Sequence, residues 1–335
     1  MSNDPTSESA ATASNEATAD HHAVQPDGVS PDDRRPTAPV HETASDPEAL
    51  GTPLETGWRR FVRRFLKQRT AVIAAAFLGL MILVSVFAPF IMTHPPNEAN
   101  LLTALSGPSA DNWLGTDDLG RDIFSRLIYA GRLSLQGSAI AVAVALALGV
   151  PAGLVSGYGG GWLDTVIMRI VDGVMVFPSL ILAIAIVGIM GPGLTNAMIA
   201  IGITYFPYFA RIVRSSTLAV KEETYVQAAR SIGTPSWMIL RKHILPNILS
   251  PLIVQSTLAL GLAILSEAAL SFIGLGAQTP EASWGSMLRR AFTFIDHSML
   301  GIILPGVMIM LVVLSFNLAG DGLRDALGRE TRKGE

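Results

Sequence analysis

Cysteine is absent from all 335 residues, which excludes disulfides, thiolate catalysis and cysteine-held zinc or iron–sulfur centres without assigning a compartment. Charge is scarce as well: 15% of residues are Asp, Glu, Lys or Arg, against 50% hydrophobic. No Gly-x-x-x-x-Gly-Lys-Ser/Thr phosphate loop occurs, so any ATP chemistry associated with this chain belongs to another polypeptide. A Gly-x-Ser-x-Gly elbow and a His/Glu metal motif are missing too, and the adjacent His21 and His22 read as a solvated pair. The start of the chain lacks the charged, apolar, small-residue order of a secretory signal peptide. What remains is the composition of a membrane protein.

The net charge of −3 averages two unlike parts. Residues 1–57 carry eleven Asp and Glu against Arg34 and Arg35, with almost no aliphatic side chains. Such a segment buries too little apolar surface to offset its ordering entropy and reads as a disordered acidic tail. Beyond it lie long apolar runs, and a membrane helix needs ~20 such residues. Residues 71–92 supply the first. Residues 133–163 have no charge and accommodate a second, ending near Tyr158-Gly159-Gly160-Gly161. Residues 173–210 are again uncharged and too many for one span, so the Gly191-Pro192-Gly193 turn divides a third span (164–190) from a fourth (194–212). A fifth covers 248–273 and a sixth 299–319. Gly137, Gly149 and Gly153 suit close helix packing in the second span. Prolines 178, 207, 251 and 305 would kink or break spans.

Lys and Arg near the span ends set orientation. With the N-terminus inside, the inner segments hold Arg59, Arg60, Arg63, Arg64, Lys67, Arg69, Arg211, Arg214, Lys221, Arg230, Arg241, Lys242, Arg324, Arg329, Arg332 and Lys333. The outer loops hold Arg121, Arg126, Arg132, Arg289 and Arg290. Sixteen against five places both termini and the polar loop between the fourth and fifth spans in the cytoplasm. The expected organisation is a tail (1–57), a basic interfacial helix and first span (58–92), and an external loop with an amphipathic helix (93–132). A five-helix core (133–321) follows, containing the cytoplasmic loop 213–247, then a short tail (322–335). In the interfacial segment Trp58, Phe61, Val62, Phe65 and Leu66 recur at helical spacing between arginines.

The cytoplasmic loop predicts two short helices with a sharp corner. Gly233 suits the left-handed residue that ends a helix, Thr234 an N-cap, and Pro235 the first helical position. The second helix is expected to run to Leu245, with Pro246 marking re-entry. Ala228 and Ala229 give a small face that another protein could approach closely, with Tyr225, Val226 and Ile232 as apolar anchors and Gln227 and Arg230 beside them. A DNA-reading helix–turn–helix shares the Ala…Gly…Ile…Arg pattern, but Arg241-Lys242-His243 ends at the membrane and leaves little room for a major groove. A loop without any partner is the other alternative.

Gln227-Ala228-Ala229…Gly233…His243-Ile244-Leu245-Pro246 resembles the Glu-Ala-Ala…Gly…Ile-x-Leu-Pro signature of ATP-binding-cassette importer permeases, with Gln227 in place of Glu and His243 in place of Ile. The His243-to-Asn247 form is similar to the dipeptide, oligopeptide and nickel branch. So are Trp113 through Asp122, Ser283-Trp284-Gly285-Ser286-Met287-Leu288, and Leu304-Pro305-Gly306 through Asn317 to Asp325. The resemblance covers about residues 58–328 and is closest to the second permease of a pair; the acidic head is outside it. It implies an all-α integral membrane protein of type I importer architecture, with six transmembrane helices and a coupling loop, in the cell (inner) membrane. It implies as partners a homologous permease, two cytoplasmic ATPase subunits carrying ATP and Mg, and an external binding protein. It also implies that the 276–298 loop helps form that protein's landing platform, and that the coupling loop (Tyr225, Val226, Gln227, Ala228, Ala229, Arg230, Gly233, Leu245, Pro246) docks an ATPase. No bound cofactor, metal or nucleic acid is expected on this chain.

Ionisable side chains at mid-bilayer cost ~2.5–3.5 kcal/mol on insertion scales and need a reason. Arg169 and Asp172 lie three apart on one face of the third span and are expected to neutralise one another, as a structural pair or on a translocation path. Glu267 in the fifth span has no partner nearby in sequence; another span, a second permease or water could supply one. Asn317 suits a hydrogen bond between helices. Outside, Asp117-Asp118 followed by Ile123-Phe124 and Leu127-Ile128 predicts a capped amphipathic helix on the outer surface, with spacing wrong for an EF-hand. The leading reading is a permease importing di- or oligopeptides. Nickel or oligosaccharide cargo, a membrane scaffold without transport, and a passive channel are the alternatives.

Overall fold

The computed structural model describes residues 57–297 and 299–328, so the acidic tail and Arg329, Arg332 and Lys333 lie outside the described residues. Twelve α-helices are described: α1 (Gly57–Lys67), α2 (Arg69–Val86), α3 (Ala88–Ile91), α4 (Ile123–Gly159), α5 (Gly161–Met175), α6 (Ser179–Met190), α7 (Leu194–Val220), α8 (Thr224–Ser231), α9 (Ser236–Ile239), α10 (Leu249–Phe272), α11 (Trp284–Thr293) and α12 (Leu300–Gly328). Five helical stretches are long and apolar enough to cross a membrane, and a sixth span forms if α5 and α6 count as one. The protein is an all-α, multi-pass membrane protein. Below, the end of the bundle carrying the loop between α7 and α10 is the loop end, and the opposite one the far end.

The third span breaks at Pro178, one of the prolines expected to kink or break a span. α5 and α6 meet at a 92° bend across Val176-Phe177-Pro178. Pro178 has no N–H for the carbonyl of Val174 and its ring crowds that turn, so the helix stops and restarts. Pro151, Pro207 and Pro305 stay inside α4, α7 and α12.

The second span departs from expectation. The helix expected after Asp117-Asp118 is not a separate element: α4 starts at Ile123 and runs for 37 residues through the predicted span. Its cap is Asp122, whose carboxylate accepts the backbone N–H of Ser125 at 2.8 Å. Asp117 and Asp118 form the preceding turn, where Asp117 accepts the N–H groups of Leu119 and Arg121. A cap acts on the N–H groups two or three residues ahead, so Asp122 and not Asp117 sets the start.

α4 and α7 pack backbone to backbone. A Cβ on Gly149 would lie 2.6 Å from that of Phe209, one on Gly153 2.6 Å from the carbonyl oxygen of Ala210, and one on Gly157 2.8 Å from the Cβ of Thr217. Water-driven burial is missing between helices in lipid, so this close van der Waals contact is what joins them. Two hydrophobic cores result. One joins α4, α6, α7 and α10 around Met198, Phe209 and Leu270; the other joins α2, α4, α10, α11 and α12 around Ile264, Trp284 and Val312. α1 rests on the loop end of α12, where Gln68 donates to Asp325 at 2.9 Å.

Candidate functional site: the loop between α7 and α10

α8 carries two faces of opposite fate. Val226 and Ala229, one turn apart, are buried and belong to the same core as α7 and α10, as do Ile239, Ile244 and Ile248 further along the loop. Tyr225, Gln227, Ala228 and Arg230 are exposed, Ile232 is 83% exposed and Trp237 61%. Val226 and Ala229 are therefore the loop's root, not part of the outward face on which the spacing had put them; the 100° step per residue separates them from Ala228. The loop's inner side is fused to the spans and its outer side is open.

The corner is set by local chemistry. Gly233 adopts φ +79, while its N–H bonds to the carbonyl of Arg230 at 3.0 Å and that of Thr234 to Ala229 at 3.1 Å. This is a Schellman ending, which only glycine and to a lesser degree asparagine enter without strain. Pro235 then precedes α9 as its cap, one residue earlier in the helix than expected, its carbonyl accepting from Met238 at 2.9 Å and Ile239 at 3.2 Å. The second helix is not a uniform α-helix to Leu245. Leu240–Ile244 widens into a π turn and Leu245–Ile248 tightens into a 3-10 turn. Pro246 removes a donor at this point, and Asn247 offsets it by donating its side-chain amide to the carbonyl of His243 at 2.6 Å. The rings of Tyr225 and His243 stand 6.1 Å apart and brace the two arms. Trp237 escaped the sequence reading; its spacing from buried Ile239, two residues on, was the signal that it faces away.

Ion pairs tie the loop-bearing end of α7 to α5, and a hydrogen bond ties it to α4. Arg214 donates twice to Asp164, both at 2.6 Å, and Asp164 accepts from Ser156 as well. Lys221 donates to the carbonyl of Gly157 at 3.1 Å. Asp172 pairs with Arg211 at 2.6 Å, not with Arg169 as the spacing suggested; side chains three apart on one helix meet weakly, and α7 brings a guanidinium closer. Arg169 is exposed and has no partner among the described residues. Both members of the Asp172–Arg211 pair are about half exposed.

Glu267 is fully buried, at 0% exposure, and its partners come from another span and from the next turn of α10 itself, although no partner was expected nearby in sequence. Ser134 of α4 donates to one carboxyl oxygen at 3.1 Å and Ser271 to the other at 2.6 Å. Those same hydroxyls accept the backbone N–H groups of Trp284 at 3.2 Å and Ala277 at 3.0 Å. The carboxyl group thus fixes, through two hydroxyls, the backbone that leads into α11. Replacing Glu267 with alanine leaves two hydroxyl donors without acceptors in a buried site, and the expected loss is about 2–5 kcal/mol. Thermal unfolding in detergent checks it; a midpoint unchanged from wild type would remove this role.

Residues 149–333 match the family described as binding-protein-dependent transport system inner membrane component, and residues 56–108 the N-terminal TM domain of oligopeptide transport permease C. The chain is 48% identical over 270 residues to a dipeptide transport system permease protein of Alkalihalophilus pseudofirmus, covering 81% of this chain and 89% of that one. It is 45% identical over 275 residues to a glutathione transport system permease protein of Pectobacterium atrosepticum, covering 82% and 91%. Among solved structures, an inward-facing MetNI methionine ABC transporter chain aligns with TM-score 0.52 at 19% identity, over 61% of this chain and 97% of that one, a likeness of fold alone.

Proposed function

This chain belongs to the family of binding-protein-dependent transport system inner membrane components, and from that premise we propose that it is the permease subunit through which an ATP-driven importer moves di- and oligopeptides inward. The observation that carries the reading is the two-faced loop. A partner pressing on Tyr225, Ala228, Ile232 and Trp237 moves a segment whose other side, Val226, Ala229, Ile239 and Ile244, is continuous with the core of the spans. Force on the loop reaches α7 and α10 directly, and through Arg214–Asp164 and Lys221–Gly157 it reaches α4 and the bent span as well.

In this reading the loop end faces the cytoplasm, in keeping with the bias of basic residues, and both termini lie there. Two ATPase subunits supply ATP and Mg and grip this loop and that of a homologous permease, with which this chain forms the pore in the cell membrane. A binding protein delivers cargo at the far end. The Asp172–Arg211 pair and Arg169 sit on a surface this chain leaves uncovered, and half-exposed charge facing hydrocarbon would be costly. They therefore line the water-filled path or gate it beside the 92° bend. Glu267, with every oxygen engaged, is a positioning residue for the far-end loop. Uptake of labelled di- and oligopeptides by cells with and without this chain tests the reading. Chain-dependent accumulation that requires ATP is the expected result; flux that persists after ATP depletion would make it a passive channel instead.

A further inference from the structure

At the far end, a cavity of about 290 Å³ opens between the start of α4, the segment after α10 and the outer face of α11. Three arginines line it, and two are already engaged. Arg290 donates to both oxygens of Asp118, at 3.2 and 3.1 Å. Arg126 is buried beneath, donating to the carbonyl of Pro96 at 2.7 Å and to Asn97 at 3.1 Å, with Asp117 3.6 Å away. Arg289 has no hydrogen-bond or ion-pair partner for its guanidinium among the described residues, and neither does the carboxylate of Glu281 on the same wall.

Arg289 is exposed to solvent, and its guanidinium lies against the backbone of the segment after α10. A Cβ on Gly274 would lie 2.5 Å from its Nη1, so it rests directly on the backbone there, at φ +92. Gln278 stiffens that floor by donating to the carbonyls of Gly274 at 3.0 Å and Gly276 at 2.9 Å. The T-shaped contact of Phe272 with Phe292, at 5.7 Å, fixes the roll of α11. Arg289 and Glu281 are both exposed to water; a cavity that presents one cation and one anion without protein partners is complementary to a zwitterion, and its volume is at the small end of ligand sites, roughly 300–1,000 Å³. Guanidinium and carboxylate pair through two parallel hydrogen bonds.

We propose that this cavity is a receiving site for short zwitterionic peptides, with the peptide carboxylate on Arg289 and its ammonium group on Glu281. The assignment rests on the peptide-importer reading and deepens it, placing a cargo contact on the permease itself. It also accounts for a positioning role of Glu267, whose two serines anchor the backbone of Ala277, which lines the cavity, and of Trp284, the first residue of α11.

The test is saturation-transfer NMR on the purified full chain in lipid nanodiscs, titrated with dialanine, dialanine amide and N-acetyl-dialanine. Dialanine is expected to bind, with blocking of either terminus weakening it on the order of tenfold, as for a lost hydrogen-bonded charge. Arg289→Gln should weaken dialanine to the same degree and make amidation harmless, Glu281→Gln should do so for acetylation, and Arg289→Lys should restore part of the loss. Equal binding of all three peptides to wild type would overturn the proposal even if the variants fail to fold. So would an amidation penalty that persists in a folded Arg289→Gln protein, or the absence of any binding. Uptake measured in parallel separates the two readings. Cells that accumulate peptide through a chain that binds none would leave the importer intact and remove only this site.

Discussion

Gly233→Val is expected to lower ATP-driven peptide uptake tenfold or more while the chain still inserts and folds. Gly233 sits at φ +79, where a β-branched residue is strained by about 1–2 kcal/mol. Apart from Gly233 and its two chain neighbours, no atom of the described residues lies within 4 Å of the position a Cβ would take, so the interior does not forbid the side chain. Relief of the strain instead turns the chain between α8 and α9, moving Ile232 and Trp237 away from the surface they form with Ala228. Val226 and Ala229 remain rooted, and the spans have no reason to unfold. Gly233→Asn separates the causes, because asparagine tolerates this backbone. Uptake normalised to folded protein should survive in Asn far better than in Val. Wild-type transport by the valine protein would sink the idea that the corner must hold its shape.

Gly153→Leu should prevent a folded chain from accumulating at all. Its Cβ would fall 2.6 Å from the carbonyl oxygen of Ala210 and 2.6 Å from the Cβ of Val213, and neither backbone nor a branched Cβ can step aside. α4 and α7 would have to separate along the stripe formed with Gly149 and Gly157, and in lipid no water-driven burial refills the lost contact. A cost of about 3 kcal/mol or more follows, a large part of a typical domain's roughly 5–15 kcal/mol, and it grows as Ser156, Gly157 and their partners on α5 and α7 are disturbed. Gly79→Leu is the control, since nothing among the described residues lies within 4 Å of that position in α2. Size-exclusion of the detergent-solubilised chains measures both: a lost monodisperse peak for Gly153→Leu and an intact one for Gly79→Leu. A folded, stable Gly153→Leu protein would mean that α4 and α7 do not pack as described.

Much of this architecture was legible because lipid leaves a chain few choices. Uncharged runs of about twenty residues had to be helices, and Gly191-Pro192-Gly193 had to be a turn, with positive φ at Gly191 and Gly193. The left-handed Gly233 could be read for the same kind of reason, as could the packing glycines of α4. What sequence spacing could not supply was contact across elements. Asp172 looked paired with Arg169 until α7 delivered Arg211. Glu267 looked solitary because Ser134 stands 133 residues away on α4; Ser271, one turn further along α10, was within reach of helical spacing and was missed. The bend at Pro178 was legible as a break but not as a 92° redirection, because the angle is set by what α6 packs on, Val187 and Ala183 against α7. Likewise Val226 and Ala228 are near-neighbours in sequence with opposite fates, which only the position of α8 against the spans decides.

The absence of cysteine makes the most direct test clean, since a thiol introduced at exposed Ala228 is the only one in the chain. Ala228→Cys should resist a membrane-impermeant maleimide in intact cells and react in inside-out vesicles. A short bifunctional reagent should then join it to a nucleotide-hydrolysing subunit, with a yield that changes when nucleotide is added. Labelling of the introduced thiol from outside intact cells would contradict the account, because a loop on that side could not carry force from an ATPase into the spans.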